Sequence, residues 1–118
     1  MTRDTGAPRA ARQRVAVACR GWPKTFVVDA QVVTSELVTN AVRHAFGPLA
    51  LAILATTTNL HVEVSDGSPE LPVADPTSHA HAEGGRGLAI VALLATQWGY
   101  RAREDGAGKT VWFDLSAP

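Results

Sequence analysis

The chain predicts an α+β fold, a two-layer α/β sandwich with helices packed against a sheet. Two observations carry that expectation. The first part of the sequence holds two stretches whose apolar residues recur at helical spacing, and the rest holds strand-like runs grouped as two hairpins. The order is helix, helix, strand, strand, long loop, helix, strand, strand, without the regular βαβ alternation of a parallel doubly wound sheet.

The elements follow in order. Residues 1–8, with Gly6 and Pro8, read as a short flexible tail, which leaves 9–118 as the domain. Ala11, Val15, Ala18 and Trp22 mark a first helix running to about Arg20, ended by Gly21 and Pro23. A second helix spans about Val27 to His44, with a stripe of Val33, Leu37, Val38, Ala41, Val42 and Ala45, and Gly47-Pro48 stop it. Leu49–Thr56 and Leu60–Ser65 read as strands joined by a polar turn around Thr58-Asn59. In the second, Leu60, Val62 and Val64 alternate with His61, Glu63 and Ser65. Residues 67–86 are rich in glycine and proline and form a long loop, of the kind that serves as a lid. Leu88–Ala95 is apolar on every side and reads as a short, deeply buried helix. Gln97–Arg103 and Thr110–Leu115 complete the sheet around a turn at Asp105-Gly106.

Composition narrows the function classes. The 118 residues suffice for one domain with a single core. Hydrophobic residues make up 46% and charged residues 19%, an ordinary globular balance. Eleven basic residues offset eleven acidic ones, so no global field draws nucleic acid or an acidic membrane. A small ligand or a protein partner suits that neutrality better. A single cysteine, Cys19, excludes an intrachain disulfide and is consistent with a reducing cytoplasm. No signal-peptide core and no apolar run of about 20 residues is present, so a soluble cytoplasmic domain is expected.

Four groups of residues could carry chemistry. Glu36 and Asn40 are four apart on the second helix and stack on one face, at the edge of its apolar stripe. There a carboxylate can serve as a general base and an amide oxygen as a hard ligand for magnesium, although such pairs are also common on plain solvated faces. Counting by twos from Leu60 places Asp66 on the core-facing side of its strand. A buried carboxylate needs a hydrogen-bond donor, either from a ligand amino group or from the backbone of the loop that Asp66-Gly67 opens. Gly84-Gly85-Arg86-Gly87 abuts the apolar helix, where glycines permit close approach, free amides can receive phosphate oxygens and Arg86 adds a charged donor. A flexible linker would look the same. Gly106-Ala107-Gly108-Lys109-Thr110 ends like a P-loop, but Arg103 stands where that motif needs its first glycine, and a strand follows instead of a helix. His79 and His81 lack companions for a zinc site. His44, one turn after Asn40, either lines the same cleft or finishes the helix.

The order of these groups resembles the GHKL, or histidine-kinase-like, ATPases. Residues 35–44, SELVTNAVRH, look like their N box. Val64-Ser65-Asp66-Gly67 is similar to the first glycine box, Gly85-Arg86-Gly87-Leu88 to the second, and Gly108-Lys109-Thr110-Val111-Trp112 to the last. The resemblance covers about residues 9–116 and implies a Bergerat-type ATP-binding fold, with a mixed, mostly antiparallel sheet covered on one face by helices. Within the superfamily, an isolated domain of this size most resembles the bacterial anti-sigma-factor serine/threonine kinases.

The resemblance implies ATP and magnesium as cofactors. Glu36 would be the catalytic base, Asn40 would coordinate magnesium, and Asp66 would hold the adenine amine. Gly85, Arg86, Gly87 and Leu88 would line the phosphate end beneath the lid at 67–86, with Thr110 near the adenine and His44 along the cleft. Arg12 falls near an arginine that the family uses to contact its partner protein. A sigma factor and an anti-sigma-factor antagonist would be the partners, with a homodimer also implied and no direct contact with nucleic acid or membrane. A non-catalytic module, in which nucleotide only shapes a partner surface, is the alternative. The sequence departs from the family pattern at Ser68, where a glycine is usual, and Pro69 follows it.

Overall fold

Helix formation begins earlier than the apolar spacing predicts. In the computed structural model, which describes residues 4–44, 47–68, 84–104, 106 and 108–116 and only the backbone of 44 and 84–88, α1 spans Ala7–Ala18. Pro8 sits in its first turn, where a missing N–H costs nothing because those amides have no intrahelical partner. Ala7 is already core, at 2% exposure. Ala7 and Pro8, expected in the tail, therefore belong to α1. Ala11 and Val15 continue the buried stripe, and Cys19 follows just past the helix, a thiol whose pKa burial raises.

The second helix, α2, runs from Lys24 to His44, three residues longer at its start than expected. Pro23 precedes it and accepts the Val27 amide at 3.1 Å. Trp22 packs against Phe26 with tilted rings and centroids 4.4 Å apart, closing the α1–α2 corner. Val33, Leu37, Val38 and Ala41 are buried as the stripe predicts, and Val42 is half-buried.

Four strands follow: β1 (Ala50–Ala55), β2 (Asn59–Asp66), β3 (Gln97–Ala102) and β4 (Lys109–Ser116). They form one sheet in the order β1-β2-β4-β3. Each of its three pairings is antiparallel, so among the described residues the sheet is antiparallel throughout rather than mixed. Alternation fixes its faces. Leu60, Val62, Val64 and Asp66 of β2 point to the core together with Val111, Phe113 and Leu115 of β4, their partners across the ladder.

The helices lie over one face of this sheet, with α1 against β1, α2 against β2 and α3 (Gly84–Leu94) against β3. Because α1 and α3 each also pack on α2, the layer reads α1-α2-α3. This is the predicted α+β sandwich.

Helix α3 departs from expectation in two ways. It starts at Gly84, so the glycine-rich box forms its first turns instead of preceding it. It is also not buried all round: Val91 is fully buried, but Leu93 is 81% exposed. A helix on a two-layer sandwich touches the sheet along one side only, so an apolar sequence there leaves apolar surface outside.

Candidate functional site

The helix layer decides which way Glu36 and Asn40 face. Arg12 of α1 donates from Nη1 to Ser35 Oγ at 2.8 Å, and Gln31 Nε2 donates to the Arg12 carbonyl at 3.1 Å. Gln31 and Ser35 thus mark the α1 side of α2. At about 100° per residue, Glu36 and Asn40 lie roughly 140° further round the helix, on the flank toward α3. Both are half-buried. The cleft edge inferred from the apolar stripe is therefore the α2–α3 edge, and α3 begins with the glycine-rich turns.

Asp66 is the most enclosed charged group of the site, at 2% exposure. Its Oδ1 accepts the Ser68 amide at 2.9 Å, which is the loop-opening contact expected of an Asp-Gly turn. It also holds a cation: Lys109 Nζ lies 3.1 Å from Oδ1 and 3.1 Å from Oδ2. Lys109 is itself buried, at 9% exposure. Arg103 Nη1 reaches the Asp66 carbonyl oxygen at 3.5 Å. The carboxylate is thus ionically paired within the chain, on the helix-covered side of the sheet.

Glycines let the backbone crowd closely around this end of β2. A Cβ at Gly108 would overlap the Asp66 carbonyl oxygen and stand 2.9 Å from the Gly67 Cα. A Cβ at Gly47, which has φ of +79°, would meet the same Gly67 Cα at 3.1 Å. Three backbones converge here: the segment after α2, the turn after Asp66 and the start of β4. Close approach of this kind is available only without side chains.

The structure does not bring all the expected residues together. Thr110 pairs with Ser65 and lies on the uncovered face of the sheet, where its Oγ1 and Ser65 Oγ are 2.8 Å apart. Asp66 pairs with Lys109 on the opposite face. The side chain of β4 beside Asp66 is therefore Lys109, not Thr110. A signal for this exists in the sequence: counting back by twos from Val111 reaches Lys109. Arg12 is half-buried between α1 and α2. Gly85, Arg86, Gly87 and Leu88 are placed by the α3 backbone, and His44 ends α2. Of the lid expected at 67–86, Gly67 and Ser68 lie in the turn after β2, with Ser68 buried at 2%, and 84–86 belong to α3. Residues 69–83, which include His79 and His81, lie outside the described residues, as do Ala45 and the turn residue Asp105.

A second cluster, which sequence reasoning did not single out, occupies the uncovered sheet face. His61 Nδ1 is 2.8 Å from Asp114 Oδ1, and His61 Nε2 is 2.8 Å from Glu63 Oε2. Arg101 Nη2 donates to Glu63 Oε1 at 2.8 Å, and Asn59 Nδ2 donates to Asp114 Oδ1 at 2.9 Å. Trp112 stacks on the imidazole with centroids 5.8 Å apart. Burial pulls His61 toward its neutral form, but the hydrogen bonds and charges of Glu63 and Asp114 outweigh it and raise its pKa. Glu63 moves the opposite way: the bond from His61 lowers its pKa against burial, and Arg101 adds to the lowering.

Comparison with known proteins places this architecture. The profile of the histidine kinase-like ATPase domain family matches residues 2–115. Among solved structures, the fold is similar to that of the Acinetobacter baumannii histidine kinase AdeS, with a TM-score of 0.54 and 15% identity over 92% of the present chain. The chain spans 64% of the length of that one. No curated protein sequence matches it. Among the described residues, no helix is long and apolar enough to cross a membrane.

Proposed function

This chain belongs to the histidine kinase-like ATPase domain family, and from that premise we propose that it binds ATP with magnesium and acts as a serine/threonine protein kinase of the anti-sigma-factor type. One observation supports this above the others. The half-buried Glu36 and Asn40 share the α3-facing flank of α2, while the adjoining strand β2 ends in a core-facing carboxylate, Asp66.

The residues fit the nucleotide. Asp66 can accept a hydrogen bond from the adenine amino group through Oδ2, which among the described residues meets only Lys109. Asn40 offers an amide oxygen, a hard donor suited to magnesium. Gly85, Arg86 and Gly87 fall in the first turns of α3, where backbone amides lack intrahelical partners and the helix dipole favours phosphate. Bound ATP would supply the phosphoryl group, and magnesium would offset its charge.

Glu36 would take the proton of a serine or threonine hydroxyl on the protein substrate. Positioning and charge neutralisation account for most of such a transfer, so one base on a rigid helix suffices. The substrate in this reading is an anti-sigma-factor antagonist, and the regulated partner is a sigma factor, with Arg12 close to the partner surface. The reading includes a cytoplasmic setting and permits a homodimer.

The test is transfer of a labelled γ-phosphate to proteins recovered with the chain from its native cytoplasm. The parent is expected to label a serine or threonine, and Glu36→Gln to bind ATP without transferring label. Normal transfer by Glu36→Gln removes the base assignment. ATP binding without transfer by the parent assigns the chain to a non-catalytic regulatory module.

A further inference from the structure

We infer that Lys109 is a base-reading residue, which with Asp66 forms a donor–acceptor pair for the amino-pyrimidine edge of adenine. This rests on the nucleotide-binding reading above.

The observation is the buried ion pair. An ammonium has three N–H donors, and one carboxylate can engage at most two of them. Asp66 Oδ1 is bonded by the Ser68 amide and by Lys109, whereas among the described residues Oδ2 meets only Lys109. Among the described residues, one acceptor site on Oδ2 and one N–H on Nζ, atoms 3.1 Å apart, are therefore left without a partner. Adenine presents the complement, an amino donor at C6 next to an acceptor nitrogen, N1. Guanine presents the reverse order, so in the same pose its carbonyl would face the carboxylate and its N1–H the ammonium.

Position favours recognition over support. A buried ion pair adds little stability compared with apolar residues of the same volume. Val111, Phe113 and Leu115 supply such residues along the same face of β4. Lys109 interrupts that apolar series at the strand end that carries Asp66, beside the glycine junction. Thr110 cannot share this role, since its hydroxyl lies across the sheet.

The experiment compares ATP with 1-deaza-ATP, which keeps the amino group and lacks N1, by calorimetric titration in magnesium buffer. The parent is expected to bind 1-deaza-ATP roughly ten- to a hundredfold more weakly, the effect of losing one charge-assisted hydrogen bond. Lys109→Met is expected to bind ATP about as weakly as the parent binds the analogue, and to treat the two nucleotides alike. A merely structural lysine would lower both affinities together and leave their ratio intact, which overturns the inference. If Lys109→Met does not fold, the parent decides alone, because equal binding of ATP and 1-deaza-ATP also overturns it. A parent that binds neither nucleotide removes the ATP-binding reading itself, and this inference with it.

Discussion

Gly108 is packed so closely against Asp66 that its Cα hydrogen faces the Asp66 carbonyl oxygen where any side chain would overlap it. The contact joins the start of β4 to the end of β2 at the residue pair that holds the site's carboxylate. Gly106, two residues earlier, is different. Its φ of +70° needs a glycine, yet a Cβ there would meet nothing within 4 Å.

The two glycines should therefore respond differently to alanine. Gly108→Ala is expected to lose about 3 kcal/mol or more, since the strand end must move to relieve the overlap. Gly106→Ala should lose only about 1 kcal/mol, the cost of left-handed backbone with a side chain. Urea denaturation of both variants checks this, and equal losses would contradict the close approach at Gly108.

His61 makes stability depend on pH. Both ring nitrogens face carboxylate oxygens at 2.8 Å, and only the protonated ring can donate to both. Its pKa is raised above the ordinary 6.5, so its contribution is fully present below that value and is lost as pH rises through the raised one. Glu63, with its pKa lowered from 4.5, contributes above 4.5 and loses that contribution as pH falls through the lowered value. The urea midpoint should therefore fall as pH rises from 6.5 through the raised value. His61→Gln should flatten that decline, and an unchanged slope would exclude His61 as its source.

Thr34 is fully buried on α2, and among the described residues its hydroxyl has no hydrogen-bond partner. Valine has nearly the same shape and no polar atom to desolvate. Thr34→Val is expected to raise stability by about 1 kcal/mol. A loss of stability in thermal melting would show that the hydroxyl is satisfied in solution.

Arg12 couples the proposed partner surface to the site helix, because its hydrogen bond ends on Ser35, next to Glu36. Arg12→Ala should cost about 1 kcal/mol from the lost bond alone. If Arg12 also contacts a partner, binding to that partner should weaken by more than Ser35→Ala weakens it, since Ser35→Ala breaks the same internal bond and keeps the guanidinium. Equal effects of the two variants on partner affinity would confine Arg12 to packing α1 on α2.

Much of the site was legible locally. The strand period alone put Asp66 on the core side of β2, and it is 2% exposed. The helix period alone stacked Glu36 over Asn40 at the rim of the apolar stripe, and both are half-buried. The start of α1 is not legible locally, because Gly6 and Pro8 signal chain breaks, yet proline is well tolerated in a first helical turn. The apolar run of α3 suggested burial on all sides, although Leu93 faces outward, because composition does not reveal how many layers cover a helix.

The sequence by itself determined which side chains share a face, since the periods of helix and strand are set by the backbone of each element. Only the tertiary structure decided which faces meet. Lys109 stands opposite Asp66 because β2 and β4 pair in one register across 43 residues of chain, and a shift of one residue would have put Thr110 there instead. Glu36 and Asn40 look toward α3 because α1 takes the other flank of α2 through Arg12. Register and flank arise from burying all the elements at once, and no single segment contains that information.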